Sequence, residues 1–206
     1  MSGYYRKTNK TEKGVAMNRR VFDLMLSLGG LVLVVVLIVA GILLTWGASF
    51  ANDDVHSQLS QQEIYFPSAA AFKNAKAGTE ITPSMIPTVS QYAGQQLTTG
   101  KQAEVYANDF IAVHLSEMPY NGVYSQLSNA SRENPNNKKL AALVQTSFQG
   151  TTLRGLLLEA YAFSIFGEIA GYAAIASFIL AAIMLILVVL GFWHLNKIPR
   201  TESIQV

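Results

Sequence analysis

The sequence predicts an all-α membrane protein: two transmembrane helices flanking an all-helical extracytoplasmic domain. Two uninterrupted apolar runs, Leu24 to Trp46 and Ile169 to Trp193, contain no charged residue, and the patterning between them is helical rather than alternating. Each run exceeds the roughly 20 residues that a helix rising about 1.5 Å per residue needs to cross a bilayer core of about 30 Å. The expected division is a basic cytoplasmic segment at 1–22, a first span at 23–46, an extracytoplasmic domain at 47–168, a second span at 169–193 and a cytoplasmic tail at 194–206.

The N-terminal segment holds Arg6, Lys7, Lys10, Lys13, Arg19 and Arg20 against Glu12, and the tail holds Lys197 and Arg200 against Glu202. By the positive-inside rule both ends are cytoplasmic, giving a multi-pass protein of the plasma membrane. The first run is too long for a signal h-region and no small-residue cleavage pattern follows Trp46, so it is expected to remain as an anchor. Between the spans seven basic residues face ten acidic ones. The excess positive charge of the chain, +2 overall, therefore sits beside the membrane, where it suits anionic lipid. No basic stripe marks a nucleic-acid face. Trp46 and Trp193 stand at the span ends, where aromatic belts belong, with Arg19, Arg20 and Lys197 as further interface anchors.

The middle segment has the length of one domain and no cysteine, so it must fold by packing alone. From Asn52 the spacing of Val55 and Leu59 predicts a helix capped by Asn52, Asp53 and Asp54 and stopped at Phe66-Pro67. Ser68 to Pro87 reads as a connection with at most a short helix. A helix is expected over Thr88 to Leu97, another over Lys101 to Met118 with Ala103, Tyr106, Phe110, Val113 and Leu115 near one face, and turn chemistry at Pro119-Tyr120-Asn121-Gly122. A shorter helix follows around Val123 to Ser131, and Asn134-Pro135-Asn136 starts the next. Its stripe of Leu140, Leu143, Val144 and Phe148 is interrupted at Gln149-Gly150-Thr151, after which a long helix runs from Thr152 towards the second span.

Chemistry-bearing groups are few. Asp53, Asp54 and His56 have the donor types of a divalent-metal site, but the same acids suit a helix N-terminus, which is the preferred reading. His114 and Glu117 share a helix face and are expected to form a surface hydrogen-bonded pair, since a third ligand at matching spacing is missing nearby. His194 lies at the cytoplasmic border beside Trp193, suited to anchoring. Phosphate loops, nucleophile elbows and zinc-protease motifs are absent from the sequence. Asp23 and Glu168 stand at span ends rather than inside, which gives no ion pathway. No catalytic residue, cofactor or metal ligand is assigned, and the chain is expected not to be an enzyme.

The second span carries the most legible contact surface. Gly167 and Gly171 form a GxxxG spacing, and Ala174, Ser177 and Ala181 extend a small-residue face that lets a second helix approach closely. That helix is either the first span, with Gly29, Gly30 and Gly41, or one from another protein.

Three stretches carry a resemblance: Trp46-Gly47-Ala48-Ser49-Phe50 with Gln62 to Pro67; Gln91 to Gln96 with Tyr106 to Leu115; and Gln145 to Leu157. Together they resemble a family of small two-span membrane proteins of actinobacteria, often labelled aromatic ring-opening dioxygenases. That label implies a non-haem iron held by two histidines and a carboxylate. Only His56 and His114 lie between the spans, on different expected helices, so the label is rejected. The resemblance also points to accessory subunits of the actinobacterial respiratory supercomplex, in which cytochrome bc and cytochrome oxidase complexes of the electron transport chain are held together. The expected function is thus a non-catalytic accessory subunit that binds membrane lipid and other membrane-protein subunits. The alternatives are a homo-oligomeric two-span pore or mechanosensitive channel, and a metal-dependent extracytoplasmic enzyme.

Overall fold

A computed structural model describes residues 16–197, Pro199 and 203–205. The basic residues Arg6, Lys7, Lys10, Lys13 and Arg200, with Glu12 and Glu202, lie outside them. The described residues are helical apart from turns and one short ribbon. Two helices dominate: α1, Arg19–Gln61, and α7, Lys138–Leu195. Both are long and apolar enough to cross a membrane. Their 43 and 58 residues are two to three times what one crossing needs.

The chain divides into two compact units, one of residues 1–43 with 174–206, the other of residues 44–173. In the first, α1 begins where Asn18 Oδ1 accepts the Arg20 backbone N–H at 3.0 Å, an N-cap arrangement. Its buried positions are Ser27, Gly30, Val34 and Gly41, with Leu37 half-buried between the last two. On α7 the buried positions are Ala174, Ala181 and Val188, with Ser177, Met184 and Gly191 half-buried between and after them. Alternating steps of three and four keep one seam along each helix, the spacing of left-handed helix pairs. The antiparallel sense is fixed by the contacts. A Cβ on Gly191 would lie 2.7 Å from Ser27 Oγ, one on Gly30 2.8 Å from Val188 Cγ2, and one on Gly41 2.8 Å from the Phe178 ring.

This unit also holds the one β-ribbon among the described residues. β1, Ala16–Asn18, pairs antiparallel with β2, Ser203–Gln205, in the register Ala16↔Gln205, Met17↔Ile204, Asn18↔Ser203. Three residues are too short to display a period of two, and their partners are far apart in sequence, so nothing local announces the ribbon.

In the second unit α1 does not start at Asn52. It runs through Asn52, Asp53 and Asp54 to Gln61, so these residues cap nothing. No helix breaker separates them from the span, and a helix already propagating adds a turn far more easily than a new one nucleates. The helix ends where Glu63 takes a positive φ of 50° and Gln96 Nε2 donates to Ser60 O at 2.8 Å.

The expected helix over Thr88 to Leu97 is also absent. α3, Ile86–Val89, passes into a 3-10 turn at Ser90–Tyr92, and the chain then extends beside 64–67. Leu97 N–H donates to Ile64 O at 2.8 Å, Phe66 N–H to Gln95 O at 2.9 Å and Gly94 N–H to Pro67 O at 3.0 Å. Gly94 supplies the positive φ of 70° that the reversal needs.

Lys101 to Met118 is helical but not uniform. α4, Gly100–Val105, opens on a capping box between Thr99 and Gln102. A π-helical turn follows at Tyr106–Ile111, then α5, Ala112–Ser116. After the turn at Pro119–Gly122 come α6, Tyr124–Glu133, and α7, which is continuous through Gln149-Gly150-Thr151. Gly150 breaks nothing; its missing side chain leaves room for Leu115, whose Cδ2 would lie 3.0 Å from a Cβ there. α2, Ala69–Lys73, is the short helix of the connection. The core joins Val55 and Leu59 of α1 and Leu157 of α7 to Phe66, Met85, Val89, Leu97, Ala103 and Ile111.

Candidate interaction surfaces

Gly167 and Gly171, the centre of the expected contact face, lie in the second unit against α1 of the same chain. A Cβ on Gly167 would stand 3.0 Å from Ala51 Cβ and 3.5 Å from Ala48 O, and one on Gly171 3.9 Å from Ala48 Cβ. In the first unit Ala174 and Ala181 are buried at 3% and 4% exposure, while Ser177 is half-buried. Of the glycines expected to receive them, Gly30 and Gly41 are buried, but Gly29 is exposed with nothing within 4 Å of its Cβ position. Large side chains point the other way: Phe166, Ile169, Tyr172, Ile175 and Ile179 are more than half exposed.

These distances set up a direct test. The Ser27 Cβ lies 3.7 Å and the Ala48 Cβ 3.9 Å from ideal Cβ positions on Gly191 and Gly171, close to the mean of about 3.8 Å across a disulfide. The pairs Ser27→Cys with Gly191→Cys and Ala48→Cys with Gly171→Cys are therefore expected to cross-link within one chain under mild oxidation. Ser27→Cys with Gly29→Cys is expected to give no such bond. A mobility shift on a non-reducing gel reads the result, with no native cysteine to interfere.

The anchors are placed as follows. Trp46 is exposed and stacks on Phe50 at 5.8 Å. Trp193 is exposed, with Lys197 Nζ 3.7 Å from its ring centroid, a cation–π arrangement. Arg19 and Arg20 are half-buried in the first turn of α1.

The chemistry-bearing residues of the second unit do not converge. Asp54 Oδ2 accepts from Gln58 Nε2 at 2.8 Å, and Asp53 and His56 are exposed. The expected His114–Glu117 pair is replaced by another contact: His114 Nδ1 lies 2.8 Å from Phe110 O. A carbonyl can only accept, so Nδ1 carries the hydrogen and donates it. This donor sits beside the π-turn, where the ordinary ladder of backbone bonds is interrupted. The His114 ring is also edge-on to Phe110, ending a row of ring contacts from Tyr92 through Phe66, Tyr106 and Phe110. Burial, with the negative charge of Glu80, pushes the Tyr106 phenol above its usual range. Among the described residues no group of three or more His, Cys, Asp or Glu could hold a metal ion.

Sequence reasoning missed a separate surface. At the turn after α5, Tyr120, Asn121 and Gly122 adopt successive left-handed conformations with φ of 57°, 52° and 65°. Gly122 O is held by the buried Ser147 hydroxyl at 2.6 Å. Two consecutive non-glycine residues in this region carry strain, which the surrounding contacts must hold in place. The turn presents Tyr120, Val123 and Tyr124, and Tyr124 touches Phe148 of α7 with ring centroids 5.7 Å apart. All four side chains are between 42% and 51% exposed. The turn chemistry of Pro119-Tyr-Asn-Gly was legible; the exposure of Phe148 was not, because its spacing with Leu140 and Val144 reads as a buried stripe.

No protein family, curated protein or solved structure matches the chain.

Proposed function

We propose that the chain is a non-catalytic accessory subunit of a larger membrane assembly, with both ends cytoplasmic and residues 47–168 extracytoplasmic. The observation that carries this reading is the exposed cluster of Tyr120, Tyr124 and Phe148 with Val123, beside the left-handed turn at Tyr120–Gly122 in the second unit. Aromatic side chains concentrate at the cores of protein interfaces, and an exposed group of them marks a contact surface. The small-residue face of the second span is occupied by α1, so in this reading it shapes the hairpin while the cluster meets the partner. The resemblance to actinobacterial two-span proteins makes the cytochrome bc–cytochrome oxidase supercomplex the assembly to test first.

The same-side topology is supported by the antiparallel register of β1 and β2, which holds both ends of the first unit together. Cys introduced at Ser203 should be shielded from an impermeant thiol reagent in intact cells, while Cys at the exposed Ser125 should react. Equal labelling of both would contradict the topology. For the docking surface, Tyr124→Ala with Phe148→Ala is expected to lower co-purification with respiratory subunits at least about tenfold, since two interface aromatics contribute on the order of 2 kcal/mol or more. Insertion and helix content should be unchanged, because both side chains are largely exposed. Full retention of the partner by this variant would sink the assignment of the surface.

A further inference from the structure

The first unit has a groove of about 510 Å³ beside the seam of α1 and α7, apolar apart from Ser27 and bordered by Leu26, Gly29, Gly30, Leu33, Leu187 and Gly191. We infer that this groove seats one acyl chain of an anionic phospholipid whose phosphate is held at the basic end of the hairpin. The inference rests on the reading that these helices cross the membrane.

Its shape argues for a chain rather than a helix. Gly29 and Gly30 leave a gap on α1, but Leu26 and Leu33 stand on either side of it, 68% and 53% exposed. A helix with its side chains is about 10 Å across and needs small residues over several turns to approach, whereas an extended hydrocarbon needs only a slot. Gly29 has nothing within 4 Å of its Cβ position, so it is not required by the seam. Its absent side chain is what keeps the slot open.

Charge selects the headgroup. Seven residues before Leu26 and Gly29, on the same stripe of α1, stand Arg19 and Phe22, and seven after Leu187 on α7 stands His194. The groove therefore points towards the turn that carries Arg19 and Arg20, with Lys197 beyond the end of α7. Asp23 is the one acid of that end among the described residues, against three full positive charges. A phosphodiester anion complements this balance, and a zwitterionic lipid does so less well.

The test uses the full chain, purified in mild detergent, stripped of lipid and examined by native mass spectrometry after adding phosphatidylglycerol or phosphatidylcholine. One phosphatidylglycerol should be retained, in preference to phosphatidylcholine. Arg19→Gln and Arg20→Gln should each weaken that preference about fivefold. Gly29→Leu, which fills the slot without entering the seam, should abolish retention while the Ser27→Cys, Gly191→Cys cross-link still forms. Equal retention of the two lipids, or undiminished retention by Gly29→Leu, overturns the inference, as does cross-linking of Gly29→Cys to the helix of another subunit. Carbonate extraction of membranes separates the two levels. A wild-type chain that stays in the membrane but holds no lipid removes only the lipid seat, whereas one that washes off removes the membrane reading and the seat with it.

Discussion

Gly100→Val is expected to be strongly damaging to the second unit, destabilising it by about 3 kcal/mol, the upper end of what overpacking a core costs. Gly100 is the first residue of α4 and is buried against α7. A Cβ there would run into the Ser164 side chain and lie 3.3 Å from the Tyr161 backbone. Ser164 cannot turn away without loss, because its hydroxyl donates to Tyr161 O at 2.7 Å and the residue is 8% exposed. Separating α4 from α7 would also disturb Gln102, whose side chain accepts the Thr98 and Thr99 N–H groups at 2.8 and 3.1 Å. Gly155→Val is the control: its Cβ position is open, so a change within about 0.5 kcal/mol is expected. Thermal unfolding of both variants followed by circular dichroism compares them. Equal midpoints would show that α4 does not lie against α7.

The second large effect is expected in the hairpin. Gly30→Leu places a branched side chain where even a Cβ would lie 2.8 Å from Val188 Cγ2. Val188 is 5% exposed and β-branched, so it has few rotamers with which to yield. Phe178, which faces Gly41, is 41% exposed and can swing outward, so Gly41→Ala should be milder. Gly30→Leu should reduce the yield of the Ser27→Cys, Gly191→Cys cross-link several-fold, corresponding to a loss of about 1–3 kcal/mol of packing. Unchanged cross-linking would mean that the helices do not meet at Gly30.

How much of this was legible follows from what each signal depends on. The apolar runs inside the two long helices were legible because an apolar run longer than a bilayer crossing is visible without knowing its neighbours, whereas the full extent of α1 and α7 was not. The seam was not readable in full, since a span that is apolar all round has no polar face to phase it. Gly30 and Gly41 could be noticed, but only the packed structure separates them from the exposed Gly29. Asn52, Asp53 and Asp54 read as a cap because their composition suits one, yet a helix already running past them needs none. The segment from Thr88 to Leu97 was misread because its conformation is set by hydrogen bonds to Ile64, Phe66 and Pro67, which no local pattern encodes. The same holds for the π-turn at Tyr106–Ile111, and for the aromatic cluster, whose Phe148 lies 24 residues beyond Tyr124.

The most direct test of the central claim is the native mass of the chain in membranes solubilised with mild detergent. The account predicts that the 22.4 kDa protein migrates in a far larger species together with other membrane subunits, haem-containing ones if the respiratory assembly is the partner. Recovery of the wild-type chain alone would contradict it, as would recovery as a homo-oligomer that conducts ions in planar bilayers.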